Sequence, residues 1–155
     1  MIILGIDPGL NGAFAFYNTI EKTLVVYDMP TVDVVRNKKS KREVCASGVS
    51  TIVAGRQVSH AYLERVNAMP GQGVTSVFSF GRSTGILEGV LAAFNIPVTI
   101  ITPQTWQKAM QVRDGKDGSR ERAMQMFPAQ AELFQRKKDD GRSDAALIAA
   151  YGAKI

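Results

Sequence analysis

The chain has 155 residues, 45% of them hydrophobic, and carries a net charge of +5 at neutral pH from 19 lysines and arginines against 14 acids. That length is enough for one globular domain burying ~70% of the surface its unfolded chain exposes, so covalent staples are not needed. A single cysteine, Cys45, excludes an internal disulfide, and a single histidine, His60, leaves too few soft ligands for a protein-made zinc site, so any metal would be a hard cation on carboxylate oxygens, magnesium or manganese.

In chain order, residues 2–7, 13–18 and 23–28 predict three short strands, the first two joined through the turn sequence PGLNG, and together they open the domain as a meander. The leading MIILGID has no basic region and reaches a charge too soon for a signal peptide. PTVDVVRNKKSKRE (30–43) is polar and is expected as a mobile loop. Val44, Cys45, Val49, Ile52 and Val53 then recur at helical spacing, predicting a crossover helix into the strand HAYLERV (60–66). NAMPGQGVTSVFSFGRS (67–83) is glycine-rich and unsuited to a regular element. A helix at about 83–94, a strand at PVTII, helices at PQTWQKAM and at about 118–126, and a final helix from about 142 complete the order. The longest uncharged stretch, Gly89 to Gln107, approaches membrane-spanning length but is interrupted by Asn95, two prolines and several threonines, so no membrane segment is expected. A soluble, reducing compartment is the expectation.

A meander followed by a strand-helix-strand crossover predicts a mixed sheet with helices on its faces, strands one and four lying parallel and adjacent. Asp7 and Glu64 then come together at carboxyl ends of strands, where ligands of such sheets gather. Asp7 before Pro-Gly could serve only as a turn acceptor. Glu64, inside an apolar strand, needs a partner: either a base such as Arg65 or a metal shared with Asp7. In KKDDGRSDAALIAAYG (137–152), Asp140 and Asp144 are four apart and point the same way from a helix start, while Asp139 points elsewhere. Acids there also complement the helix dipole, but the apolar run 145–150 marks a buried helix whose acidic start is aimed inward. Three basic clusters, RNKKSKR (36–42), RDGKDGSRER (113–122) and QRKK (135–138), suggest a polyanionic partner.

ILGIDPGLNG, LERV and DDGRSDAALIAAYG, in that order, resemble the bacterial Holliday junction resolvase RuvC and, more closely, its RuvC-like relatives in bacteriophages. The resemblance spans nearly the whole chain. It implies an α/β, ribonuclease H-like fold with a mixed five-stranded sheet flanked by helices, forming one nuclease domain over residues 1–155. It also implies a homodimer, no membrane attachment, the cytoplasm of a bacterial or phage-infected cell, and a magnesium-dependent endonuclease resolving four-way DNA junctions. Asp7, Glu64 and Asp144 match the family's catalytic acids. The family's remaining ligand lies three residues before the last of these, which here is Gly141; Asp140 is preferred as the fourth ligand and Asp139 is the alternative. Two magnesium ions ~4 Å apart, replaceable by manganese, would activate water and neutralise the phosphate, leaving 5′-phosphate and 3′-hydroxyl ends.

Lys108 and Lys116 lie roughly where the family places basic residues near the scissile phosphate, with surface lysine the equal alternative. Gly81, Gly85 and Gly89 would make a smooth helical stripe, packed either on the chain's own sheet or on a second subunit, and the corresponding helix of the family contributes to its dimer interface. Where the family has an aromatic residue shortly after the glutamate, this chain has Asn67. The first aromatics are Phe78, expected outside to stack on exposed bases, and Phe80, expected in the core; Arg82 is a further candidate DNA contact. Other readings are a nuclease of this fold acting on other branched DNA, or a silent DNA-binding module. GIDPGLNGAFAF also resembles the phosphate-binding hairpin of sugar kinases and actin-like ATPases, which need a second domain.

Overall fold

The computed structural model describes every residue except Asn37, Met69 and Ile155. Strands β1 (Ile2–Asp7), β2 (Ala13–Asn18) and β3 (Thr23–Asp28) form the antiparallel meander, at the expected positions. Strands β4 (Thr31–Arg36) and β5 (Lys39–Val44) pair with each other as a separate two-stranded sheet. Helix α1 (Ala46–Val53) leads to β6 (Val58–Glu64), which lies parallel to β1. Helix α2 (Val74–Ala93), β7 (Val98–Ile101), α3 (Pro103–Ala109) and α4 (Gly118–Met126) follow. Two 3-10 segments, Pro128–Phe134 and Lys137–Asp139, then enter α5 (Asp140–Gly152). The main sheet has the order β3-β2-β1-β6-β7, which is the mixed five-stranded sheet flanked by helices that the sequence leads one to expect.

Strand alternation divides this sheet into two apolar faces. Leu4, Ile6, Phe14, Phe16, Ala61 and Leu63 point to one side and meet Val49 and Val53 of α1 and Leu87 and Leu91 of α2. Ile3, Ala13, Ala15 and Tyr62 point to the other and meet Trp106, Phe134 and the alanine-rich run of α5. By the same period of two, Asp7 and Glu64 fall on the α5 side, one residue beyond the paired Ile6 and Leu63. Gly5 lets α5 seat closely on β1: a Cβ there would stand 2.2 Å from the Ala145 carbonyl oxygen and 2.4 Å from the Ala149 nitrogen.

Three expectations need correction. Residues 30–43 are a hairpin rather than a loop, paired from Thr31–Val44 to Arg36–Lys39 and tied at its root by the Cys45 amide donating to the Pro30 carbonyl at 2.9 Å. Both of its strands are edges, so charged side chains face water and the composition reads as loop. Helix α2 begins at Val74, inside the segment judged irregular, because its first turns overhang the sheet and carry no apolar periodicity. For the same reason Phe80 is not in the core: it is 42% exposed, and Phe78 is 69% exposed. The glycine stripe of α2 does not pack on its own sheet either, since Cβ atoms at Gly81, Gly85 and Gly89 would meet nothing among the described residues.

These contacts separate two kinds of glycine. Gly5→Ala should cost at least about 3 kcal/mol or prevent cooperative folding, because the obstacle is backbone. Gly85→Ala should leave chemical denaturation at low protein concentration unchanged or stabilise the fold by about 0.5–1 kcal/mol, since a glycine inside a helix is disfavoured.

Candidate metal centre

Asp7 ends β1 and begins a turn in which the Gly9 amide donates to Asp7 Oδ1 at 3.0 Å and the Gly12 amide donates to the Gly9 carbonyl at 2.8 Å. The turn role foreseen for Asp7 therefore occupies only one of its oxygens. The other, Oδ2, faces the start of α5, where a Cβ on Gly141 would lie 3.0 Å from it, 2.7 Å from the Gly12 Cα and 2.3 Å from the Asn11 carbonyl oxygen. Position 141, three residues before Asp144, has no room for a side chain.

Burial raises the pKa of Asp7 against the opposing Gly9 hydrogen bond. Burial, then the charges of Asp7 and Asp144, push Glu64 up to about 7, while the nearby Trp106 indole pulls the other way. The Trp106 N–H nevertheless has no partner at hydrogen-bond geometry. Asp144 is likewise pushed up to about 7, by burial and by the charges of Asp7 and Asp140, against a hydrogen bond from Ser119. Its Oδ1 is buried without a partner. No ion pair reaches Asp7, Glu64 or Asp144 among the described residues, so the base considered for Glu64 is not its partner.

The two candidates for a fourth acid differ sharply. Asp139 is 1% exposed and is saturated by Arg136, which donates from its backbone amide at 2.9 Å and from Nη2 at 2.9 Å, with Arg142 Nη1 3.7 Å away. Burial works against ionisation there, but those partners hold its pKa below the usual carboxylate value. Asp140 is exposed, acts electrostatically on Asp144, and pairs with Arg120 Nε at 2.8 Å. Arg120 is itself largely buried and also donates to the Gln135 carbonyl at 3.0 Å and to Asp117.

As they stand, no three acidic, histidine or cysteine side chains converge tightly enough to enclose one cation among the described residues. Carboxylates without a counter-charge repel one another, and the raised pKa values of Glu64 and Asp144 record that repulsion together with burial, while that of Asp7 records burial. Their donor chemistry still fits a hard divalent cation: all ligand atoms are oxygens, none of the three acids is claimed by a base, and Asp144 Oδ1 lacks a partner.

The remaining candidates lie apart from the acids. Lys108 is exposed near the end of α3, and Lys116 is exposed in the segment before α4. Phe78 and Arg82 line a cavity of about 320 Å³ between the β4–β5 hairpin and α2, and Arg82 is paired with Glu43 of the hairpin. Residues that sequence reasoning passed over are Trp106, Ser119 and Arg120, which surround the acids, and Arg42, whose guanidinium donates to the Leu10 carbonyl at 2.6 Å and to Asn11 Oδ1 at 3.2 Å. Only the two arginines had a signal, as members of basic clusters.

No family model matches the chain. Among curated proteins it resembles the chloroplastic Holliday junction resolvase MOC1 of Chlamydomonas reinhardtii, with 32% identity over 94 residues, 59% of this chain but 11% of that protein. The chain thus spans about a tenth of that relative's length. Among solved structures it resembles Thermus thermophilus RuvC in complex with a Holliday junction substrate, with TM-score 0.65 and 12% identity over 99% of this chain and 95% of that one. It also resembles the yeast mitochondrial Holliday junction resolvase, with TM-score 0.55 and 13% identity over 98% of this chain and 77% of that one. The fowlpox virus Holliday junction resolvase matches with TM-score 0.52 and 12% identity over 99% of both chains. The resemblance read from the three motifs is borne out, and the fold is the RuvC-like, ribonuclease H-like one. The expected bacterial or phage-infected cytoplasm is overturned by the curated relative, which is chloroplastic.

The raised acids set a pH dependence with a definite sign. A carboxyl whose folded pKa exceeds its unfolded value of about 4 gives the folded state extra bound protons between those two values, so stability is lost as pH rises toward 7. In EDTA the melting temperature should fall from pH 5 to pH 8. Magnesium or manganese should restore it at pH 8 and change it little at pH 5, and Asp144→Asn should flatten both responses. A melting temperature indifferent to pH and to cations would remove the metal centre.

Proposed function

We propose that this chain, whose fold is that of the RuvC-like resolvases, is a metal-dependent, structure-selective endodeoxyribonuclease that cuts four-way DNA junctions. The observation that carries the reading is the grouping of Asp7, Glu64 and Asp144, three half-buried acids from separate elements with no basic partner among the described residues, at the carboxyl edge of the sheet. These three, with Asp140 shared between the site and Arg120, would hold magnesium or manganese, two ions for the full reaction. Bound there, the cations supply an activated water and neutralise the charge developing on the scissile phosphate. Glu64 and Asp144 must give up protons to bind them, and both do so near neutrality. Gly9 keeps Asp7 oriented through its Oδ1, leaving Oδ2 free toward α5.

A homodimer would present two such sites to the two equivalent strands of a junction. The open glycine stripe of α2 supports that arrangement, because a helix surface without Cβ atoms lets another backbone approach closely. Phe78 would meet unstacked bases at the strand exchange, and Lys108 and Lys116 would meet phosphates. Arg82 would contact DNA only by leaving Glu43.

The deciding experiment compares cleavage of a four-way junction, a fork and a linear duplex in magnesium and in EDTA. Only the junction should be cut efficiently, and only with the metal. Asp7→Asn and Asp144→Asn should each lower cleavage at least about 100-fold, since even partners of metal ligands are worth about 10- to 100-fold, while junction binding survives. Asp140→Asn should lower cleavage with little change in melting temperature, whereas Asp139→Asn should act mainly on stability because Asp139 is buried and its charge holds Arg136. Near-normal cutting by Asp7→Asn or Asp144→Asn would refute the site, and equal cutting of all three DNAs would refute junction selectivity.

A further inference from the structure

Beside the acids lies a groove of about 410 Å³ that the reaction scheme does not use. Its floor is the turn Leu10–Gly12, the turn that begins at Asp7, and one wall is Gly141, the residue packed against Asp7 Oδ2. Five cations line it: Arg42 from the root of the hairpin, and Arg136, Lys137, Lys138 and Arg142 from the segment entering α5. Against them stand Asp28, Asp139 and Asp140, and the Asp140 charge is already paired with Arg120 outside the groove.

The cations divide by what already occupies them. Arg142 is bound bidentately to Asp28 at 2.6 and 2.7 Å, and Arg136 to Asp139. Arg42 holds the turn itself. These three are fixed in place by protein partners; the acids neutralise Arg136 and Arg142, while Arg42, held by neutral oxygens, keeps its positive charge. Lys137 and Lys138 are exposed and form no ion pair among the described residues. A concave, preset positive surface with two uncommitted ammonium groups is suited to an anion that presents several oxygens in succession. Compact lysine ammonium groups meet such oxygens without demanding one geometry.

We infer that this groove seats the DNA backbone phosphates next to the scissile one, with Lys137 and Lys138 donating to their oxygens while Arg42 braces the turn that carries Asp7. This rests on the nuclease reading above and deepens it. It gives the cut strand a direction past the metal centre, from the acids toward the hairpin root and the start of α5. It also assigns a task to QRKK, a basic cluster that the catalytic scheme leaves idle.

The test measures junction binding by fluorescence anisotropy in EDTA, so that no strand is cut, from 50 to 250 mM salt. Each lost phosphate contact removes roughly 0.9 from the log-log salt slope, so the double variant Lys137→Ala/Lys138→Ala should lose roughly 1.8 and bind at least ~10-fold more weakly at low salt. Its manganese-induced rise in melting temperature should equal that of the wild type, which shows an intact fold and metal site. Lys22→Ala/Lys154→Ala, which removes the same charge from exposed sites outside the groove, should change neither slope nor affinity. An unchanged slope in the groove variant beside a wild type that binds would overturn the groove alone, as would an equal loss in the control. Failure of the wild type to bind any DNA would overturn the nuclease reading and the groove with it.

Discussion

The closeness of α5 to β1 is the constraint on which the rest of the site depends. Gly5 removes a Cβ where the Ala145 carbonyl and the Ala149 nitrogen press on the strand, and Gly141 removes another where the helix start meets Asn11, Gly12 and Asp7. Two backbones can approach this far only where side chains are missing or small, and the alanines of α5 continue the same surface. Because the helix is pinned at both glycines, Asp144 is carried to Asp7 by packing rather than by any attraction between the two acids. Their charges in fact oppose the arrangement. Packing on the order of a full sheet face against a buried helix is large compared with the repulsion of three acids, and it prevails.

The distribution of arginines shows how the remaining charge is managed. Asp28, Asp117, Asp139, Asp140 and Glu43 each have an arginine partner, whereas Asp7, Glu64 and Asp144 have none. The other acids without an ion pair among the described residues, Glu21, Asp33, Glu88, Asp114 and Glu132, are exposed to solvent, whereas these three are partly withdrawn from it beside one another. That contrast is a stronger pointer to metal chemistry than acidity itself, since a buried carboxylate lacking a base must find its counter-charge elsewhere or remain protonated. Arg42, Arg136 and Arg142 are immobilised by their own partners beside the acids.

At 12–13% identity to the solved resolvases, the chain keeps their architecture. Position 141 is a glycine whose space the turn fills, and Asp140, one residue earlier, acts on Asp144 from the same helix. The first turns of α2 expose Phe78 and Phe80 at the mouth of the cavity beneath the hairpin. Arg82 and Glu43 tie that hairpin to α2, so the basic arm and the aromatic helix are held as one surface.

The order of β1 to β3, β6 and β7, the helical character of α1 and α3 to α5, and the three acidic positions were legible in the sequence, because each rests on local periodicity, turn chemistry or a motif of fixed spacing. Even the convergence of Asp7 and Glu64 followed from strand topology. What only the tertiary structure decided are features without a local signature. A hairpin of two exposed edges reads as a loop, and a helix that overhangs the sheet has no apolar stripe, so β4, β5 and the first turns of α2 were hidden, and with them the exposure of Phe80. The choice between Asp139 and Asp140 depended on where Arg136 and Arg120 reach, and the use of Arg42 as a brace on the turn depended on a partner 31 residues away. Such pairings are fixed by which surfaces pack together across the fold, and neighbouring residues in the chain carry no record of them.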